Sequence, residues 1–173
     1  MVITYRIPTL GDMKKVSEQI NRSYVSAYEG LMDHEYLSSL KTDHWEPVLQ
    51  ESIRNGGTCL IAECDGNIIG STVFETVLDG EETHAQWHAF YLLPQYIGIG
   101  AGHAFYQRIE EEMVRQKCEC CILEVLSSNE RAINFYISHG FIKSETFEVN
   151  ESGMTLLCDK MRKEFKRGKN NGI

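Results

Sequence analysis

The chain has 173 residues, 42% of them hydrophobic and 24% charged, and a formal net charge of −8. Length and composition fit one globular domain with a single sizeable core, and the acidic balance argues against a nucleic-acid partner. No apolar stretch approaches the roughly 18 residues of a membrane-crossing helix, and no basic segment followed by an apolar run opens the chain, so a cytoplasmic protein with no membrane partner is expected.

Ile3-Thr4-Tyr5-Arg6 reads as a short strand. Thr9, with Asp12 three residues on, resembles a capping box at the start of a helix. That helix is expected to run to about Ala27, because Met13, Val16, Ile20 and Tyr24 form one apolar face. Helical stretches follow near 33–40 and from Asp43 or His44 to Arg54, where Asn55-Gly56-Gly57 ends the pattern. Next comes a meander. Thr58 to Cys64 is a strand, Asp65-Gly66-Asn67 a tight turn, and Ile68 to Val77 the return strand. His84 to Leu93 is the third strand of the set.

Pro94 ends that strand, and Gly98, Gly100 and Gly102 follow at alternate positions. A helix from about Gly100 to Gln116 comes next, with a Phe105, Ile109, Met113 stripe inward and Glu110-Glu111-Glu112 facing water. A strand, a glycine-rich turn and a helix N-terminus together make an anion site, since the first helical N–H groups lack intrahelical partners. The occupant such a site suggests is a phosphate or pyrophosphate. No Gly-Lys-Ser/Thr follows, so this is not a Walker loop, and the glycine spacing is wrong for a dinucleotide fingerprint. By themselves these residues also fit a turn that merely needs small side chains.

Glu119 to Leu126 reads as a fifth strand and Asn129 to Gly140 as a helix. Phe141 to Val149 and Gly153 to Lys160 form a final hairpin. Six cysteines are expected as reduced thiols. Cys118 and Cys121 have a C-x-x-C spacing, but no second pair or nearby histidine completes a zinc set, so no metal is expected. Residues 160–173 hold six basic residues (Lys160, Arg162, Lys163, Lys166, Arg167, Lys169) against one acid, Glu164. The reading is a single domain over residues 1–162 and a basic, frayed tail over 163–173. The alternation of elements gives an α/β layered domain with a mixed sheet.

Asn129, Ala132, Phe135, Tyr136, Gly140 and Phe141 match the N-x-x-A-x-x-F-Y-x-x-x-G-F helix of the GNAT N-acetyltransferase superfamily. Ile97-Gly98-Ile99-Gly100-Ala101-Gly102 resembles its pyrophosphate loop, R/Q-x-x-G-x-G/A, with Ile97 in place of the leading Arg or Gln. The resemblance covers about Gln86 to Phe141, and the order of the other segments fits it too. It implies a mostly antiparallel mixed sheet of about seven strands flanked by helices. Two central parallel strands, ending near Leu93 and Leu126, would splay around acetyl-CoA.

By the same resemblance, the main chain of Tyr91, Leu92 and Leu93 would bind pantetheine. The amides of Gly98, Ile99, Gly100, Ala101, Gly102 and His103 would cradle the pyrophosphate. His103 could add a side-chain donor or be an ordinary exposed helix residue. Asn129 would contact pantetheine or simply cap its helix. Tyr136 would be the general acid on the departing thiolate, or a core aromatic. The base is open. The family often places a Glu on the fourth strand, where Gln86 and His88 stand here, and His88 is the better base of the two. Strict alternation would put Gln86, His88 and Phe90 on one face. Glu29, Asp33, His34 and Glu75 are further candidates. Tyr28, Glu29 and Gln86 would bind the acceptor.

The function implied is direct transfer of acetyl from acetyl-CoA to a primary amine of a small molecule, with no covalent enzyme intermediate. The alternatives are acetylation of a protein or peptide amine, and a non-catalytic acyl-CoA-binding sensor. A homodimer is compatible with the resemblance.

Overall fold

A computed structural model describes residues 2–165. Seven strands form one sheet in the order β1-β2-β3-β4-β5-β7-β6. They are β1 (Ile3–Arg6), β2 (Thr58–Cys64), β3 (Asn67–Asp79), β4 (Glu82–Leu92), β5 (Cys120–Leu126), β6 (Ile142–Glu151) and β7 (Met154–Glu164). Only β4 and β5 are parallel; the other neighbours run antiparallel. The helices are α1 (Met13–Tyr28), α2 (His34–Ser39), α3 (Glu46–Arg54), α4 (Ala101–Arg115) and α5 (Glu130–Ser138).

The apolar stripes decide which face each helix covers. Met13, Val16 and Ile20 of α1 pack with Leu49 of α3 and with Ile61 and Val73 of the sheet. Phe105, Ile109 and Met113 of α4 pack on the other face with Trp87, Leu123 and Met161. Gly70 of β3 lets these layers close. A Cβ there would stand 2.9 Å from Leu92 and 3.3 Å from Phe105, so any side chain would push β4 or α4 away.

The start of α1 follows the sequence reading. Asp12 accepts from the Thr9 amide at 2.7 Å, and Arg6 bridges Asp12 and Glu63, each at 2.8 Å. The Asp65-Gly66 turn has both residues at positive φ, 50° and 76°, the geometry a two-residue hairpin requires. Two expectations need correcting. Of Glu110, Glu111 and Glu112 only Glu111 is exposed; Glu110 bonds the Tyr106 hydroxyl and the Lys163 ammonium and ties α4 to β7, and Glu112 accepts from Arg115 and Gln116. Lys163 and Glu164 are strand residues, paired with Cys121 and Cys120. The basic residues Lys166, Arg167 and Lys169 lie outside the described residues.

Asp159 of β7 is 4% exposed and pins the end of β5. Its Oδ1 accepts from Ser127 at 2.7 Å and Thr146 at 2.8 Å, and Lys143 lies 2.9 Å away. Burial would raise this carboxyl, but the hydrogen bonds from Ser127, Lys143 and Thr146 outweigh it and hold it below the usual carboxylate range. A carboxyl depressed by folding adds stability above its unfolded value of about 3.9 and loses it as pH falls through the folded value. Asp159→Asn is expected to cost about 1–3 kcal/mol at neutral pH and to flatten the fall of Tm below about pH 4. Thermal melts across the acid range check both.

Candidate active site

β4 and β5 pair only from His84↔Cys120 to Trp87↔Leu123. Beyond Trp87 they part, although both strands continue, to Leu92 and Leu126. The parting coincides with a bulge. Val73 of β3 faces Ala89 and Phe74 faces Trp87, so His88 has no opposite number. An extra residue in one strand reverses the face of all that follows. Trp87 and Phe90 therefore share a face, with ring centroids 5.3 Å apart, while Ala89 and Tyr91 pack toward α1 and α3. The alternation expected for Gln86, His88 and Phe90 fails at this bulge.

The gap opens into a cleft of about 480 Å³. Its walls come from the end of α1 (Ser23, Ser26, Ala27, Tyr28), from β4 and β5, and from the first turns of α4 and α5. The Leu93 amide donates to Ile69 at 2.8 Å, so it is not free for a ligand. Antiparallel alternation then turns the peptide groups of Phe90 and Leu92 toward the gap.

One end of the cleft is made for an anion. Gly98 and Gly100 sit at φ +82° and +87°, a conformation that only glycine adopts without strain. The amides from Gly98 to His103 donate to no group among the described residues; the first helical bond is Ala104 N–H to the Gly100 carbonyl. Six unpaired N–H groups at the positive end of a helix make a concentrated anion site. Gly102 is helical, and a Cβ there would be 3.6 Å from Phe135.

The His103 side chain is committed elsewhere. Its Nδ1 is 2.8 Å from Nε2 of His139, and its Nε2 is 3.1 Å from the Gln107 amide nitrogen. His139 Nδ1 lies 2.7 Å from the Phe135 carbonyl, which can only accept. A neutral pair therefore has one consistent tautomer pattern: Gln107 donates to His103, His103 to His139, and His139 to Phe135. Both rings line the cleft. No ring nitrogen of His103 is left over in this arrangement.

The other end holds Tyr136. Its ring meets Trp87 edge-on at 5.6 Å and Phe141 at 5.6 Å. Burial pushes its phenol well above the usual tyrosine range, so it keeps its proton at neutral pH. Its hydroxyl makes no hydrogen bond among the described residues, and the residue lines the cleft. Asn129 both caps and faces the cleft. Its Oδ1 accepts from Ala132 N–H at 3.2 Å, which leaves the amide nitrogen free. His88 lines the cleft and lies 3.4 Å from Glu75 through Nε2.

Glu29, Gln86, Leu93, Ile99 and Ala101 do not line the cleft, and neither do Asp33 and His34. Asp33 instead caps α2, accepting from Tyr36 N–H at 2.8 Å. All six cysteines are unpaired, and none lines the cleft. Burial pushes the Cys59 and Cys120 thiols up to about 12. Glu82, Cys120 and Glu164 present ligand atoms within 4.8 Å of one another, but Arg162 already bonds both carboxylates there.

The profile of the Acetyltransferase (GNAT) family matches residues 18–141. The chain belongs to the GNAT acetyltransferase family. No curated protein sequence matches this GNAT chain. Among solved structures it is similar to the PaiA N-acetyltransferase of Thermoplasma acidophilum in complex with coenzyme A, at 22% identity and TM-score 0.75, over 95% of this chain and 100% of that one. It is also similar to the ribosomal-protein-S18-alanine N-acetyltransferase of Escherichia coli, at 16% identity and TM-score 0.75, over 99% of each chain. YncA of Salmonella typhimurium, solved with its cofactor acetyl-CoA, matches at 18% identity and TM-score 0.73, over 99% of each chain. At these identities the likeness speaks for the fold. No helix among the described residues of this GNAT protein is long and apolar enough to cross a membrane.

Sequence reasoning passed over several cleft residues. Phe90, Glu124, Arg131 and His139 all line it. Arg131 is the one Arg or Lys among the lining residues, and Ile97 of the loop supplies no charge. It sits two residues after Asn129, in the first turn of α5, and that helix start was the available signal.

Proposed function

We propose that the protein transfers the acetyl group of acetyl-CoA to a primary amine of a small molecule by direct attack in a ternary complex. One arrangement carries this reading: the unpaired-amide loop, through Gly98, Gly100, Gly102 and His103, and a half-buried, protonated tyrosine with no hydrogen-bond partner among the described residues line a single cleft. A cofactor long enough to put its phosphates on the loop and its thioester near Tyr136 fits that arrangement.

In this reading the amides of Gly98 to His103, with Arg131, hold the pyrophosphate. The Leu92 peptide and the Asn129 amide hold the pantetheine arm. The acceptor arrives as an ammonium ion and must lose a proton before it can attack. His88, with Glu75 beside it, takes that proton and passes it to solvent. The amine nitrogen then bonds to the thioester carbonyl carbon, and a main-chain N–H of the splayed strand stabilises the oxyanion. The C–S bond breaks as Tyr136 gives its proton to sulfur, and the second proton leaving the nitrogen, relayed by water, restores the Tyr136 phenol. The products are an amide and the free thiol.

Thiol release from acetyl-CoA, measured with a panel of aryl- and alkylamines, polyamines, amino acids and short peptides, tests the function. Turnover with a small amine is expected. Binding of acetyl-CoA without transfer to any member would favour the sensor reading. His88→Gln is expected to lower kcat/KM about 10²-fold. A base works only when unprotonated, so wild-type kcat/KM should rise with pH as the base loses its proton. The variant should lack that rise. An unchanged pH profile would remove His88 from the role of base.

A further inference from the structure

We propose that a second cavity, between α1, α3 and the β3–β4 face, is an acceptor subsite for the apolar body of an aryl- or alkylamine. This rests on the amine-acetylation reading and deepens it. The cavity has a volume of about 300 Å³. Its wall is formed mainly by Ile20, Trp45, Leu49, Val73, Ala89 and Tyr91. Val48, which is 53% exposed, stands at its edge. The space is a half-open groove rather than a sealed void. At about 30 Å³ per water in the liquid, it holds about ten non-hydrogen atoms. The wall is also not a finished core. Trp45 Nε1 and Ser52 Oγ, both on residues that line it, are buried with no hydrogen-bond partner among the described residues.

Position supplies the rest of the argument. His88, Ala89 and Tyr91 line both this cavity and the main cleft. The bulge at His88 is therefore the junction between them. Glu75 stands at that junction, 3.4 Å from His88, and it is the one acid lining the cavity, which has no Lys or Arg. An ammonium held by Glu75 would place its nitrogen beside His88, next to the cleft. Its body would then fill the apolar side. A polyamine fits poorly, because a second ammonium would enter an apolar space without a counter-charge. An anionic acceptor is repelled by Glu75.

The test separates binding from chemistry. The chain has two tryptophans. Trp87 donates its indole N–H to Thr72 Oγ1 at 2.7 Å and the Ala89 carbonyl at 3.1 Å, so the two indole NMR signals report different places. Trp45→Phe assigns the Trp45 signal by its loss. Titration of the wild-type protein with 2-phenylethylamine and hexylamine is expected to shift the Trp45 signal more than the Trp87 signal, and spermidine is expected to leave Trp45 unmoved. Val48→Phe at the exposed edge should raise KM for 2-phenylethylamine about fivefold or more, with kcat and acetyl-CoA affinity unchanged. If neither apolar amine moves Trp45, or spermidine alone does, the subsite is wrong. If the apolar amines move Trp45 yet are never acetylated, the subsite stands and the transferase reading fails.

Discussion

Tyr136→Phe is expected to lower kcat at least about tenfold while acetyl-CoA affinity stays within about twofold. The ring packs against Trp87 and Phe141, and phenylalanine keeps those contacts, so the substitution removes little besides the hydroxyl. That hydroxyl has no hydrogen-bond partner to lose among the described residues, so folding should be nearly untouched. On the proposed mechanism, what disappears is the proton donor. Without it the sulfur leaves as a bare thiolate in a largely apolar cleft, and general acids contribute about 10²–10⁴-fold to such steps. Water in the open cleft can supply part of the missing proton, which sets the lower bound at about tenfold, or ~1.4 kcal/mol of barrier. Steady-state kinetics beside calorimetric titration with acetyl-CoA separate the two quantities. Equal losses in kcat and in affinity would instead make Tyr136 a packing residue.

The second large effect is expected at Gly100. Valine there must either adopt φ +87°, where a β-branched residue is a steric outlier, or rotate the peptide and move the start of α4. The left-handed conformation costs roughly 1–2 kcal/mol without glycine, and a rotation re-aims the amides that the anion needs. Hydrogen bonds to charged groups contribute about 1.5–3 kcal/mol each, so losing one or two should weaken coenzyme A binding about 10- to 100-fold or more. Gly102→Ala is the matched comparison. It is helical, its new Cβ meets Phe135 at an ordinary 3.6 Å, and alanine favours the helix by roughly 0.5–1 kcal/mol. The first variant should therefore lose both Tm and affinity, and the second should keep its Tm. Titration with coenzyme A and thermal melts on both variants check this. If Gly100→Val binds as the wild type does, the loop is not the phosphate site.

Much of this protein is legible in its residues because much of it is local. The left-handed turn at Gly98 and Gly100 needs only a backbone without Cβ. The stripes Met13-Val16-Ile20 and Phe105-Ile109-Met113 follow from a helical period, and both are buried as that period predicts. The Asn129 to Phe141 segment is one helix with its cap and stop, and its motif marked Tyr136. Tertiary structure decided what depends on pairing between distant segments. The bulge at His88 exists only because β3 and β4 register as they do, and it reversed the faces read from alternation. The parting of β4 from β5 after Trp87 is likewise absent from either strand alone. His103 is an exposed helix residue, but its ring is tied to His139, 36 residues away, a pairing that its place on the helix could not show. β7 runs on to Glu164 because β5 lies beside it, where composition had suggested a tail. The chain's own periodicities and turn residues determined the elements and the anion loop. Register, a single extra residue in one strand, and side-chain pairing across the cleft decided which groups face the chemistry.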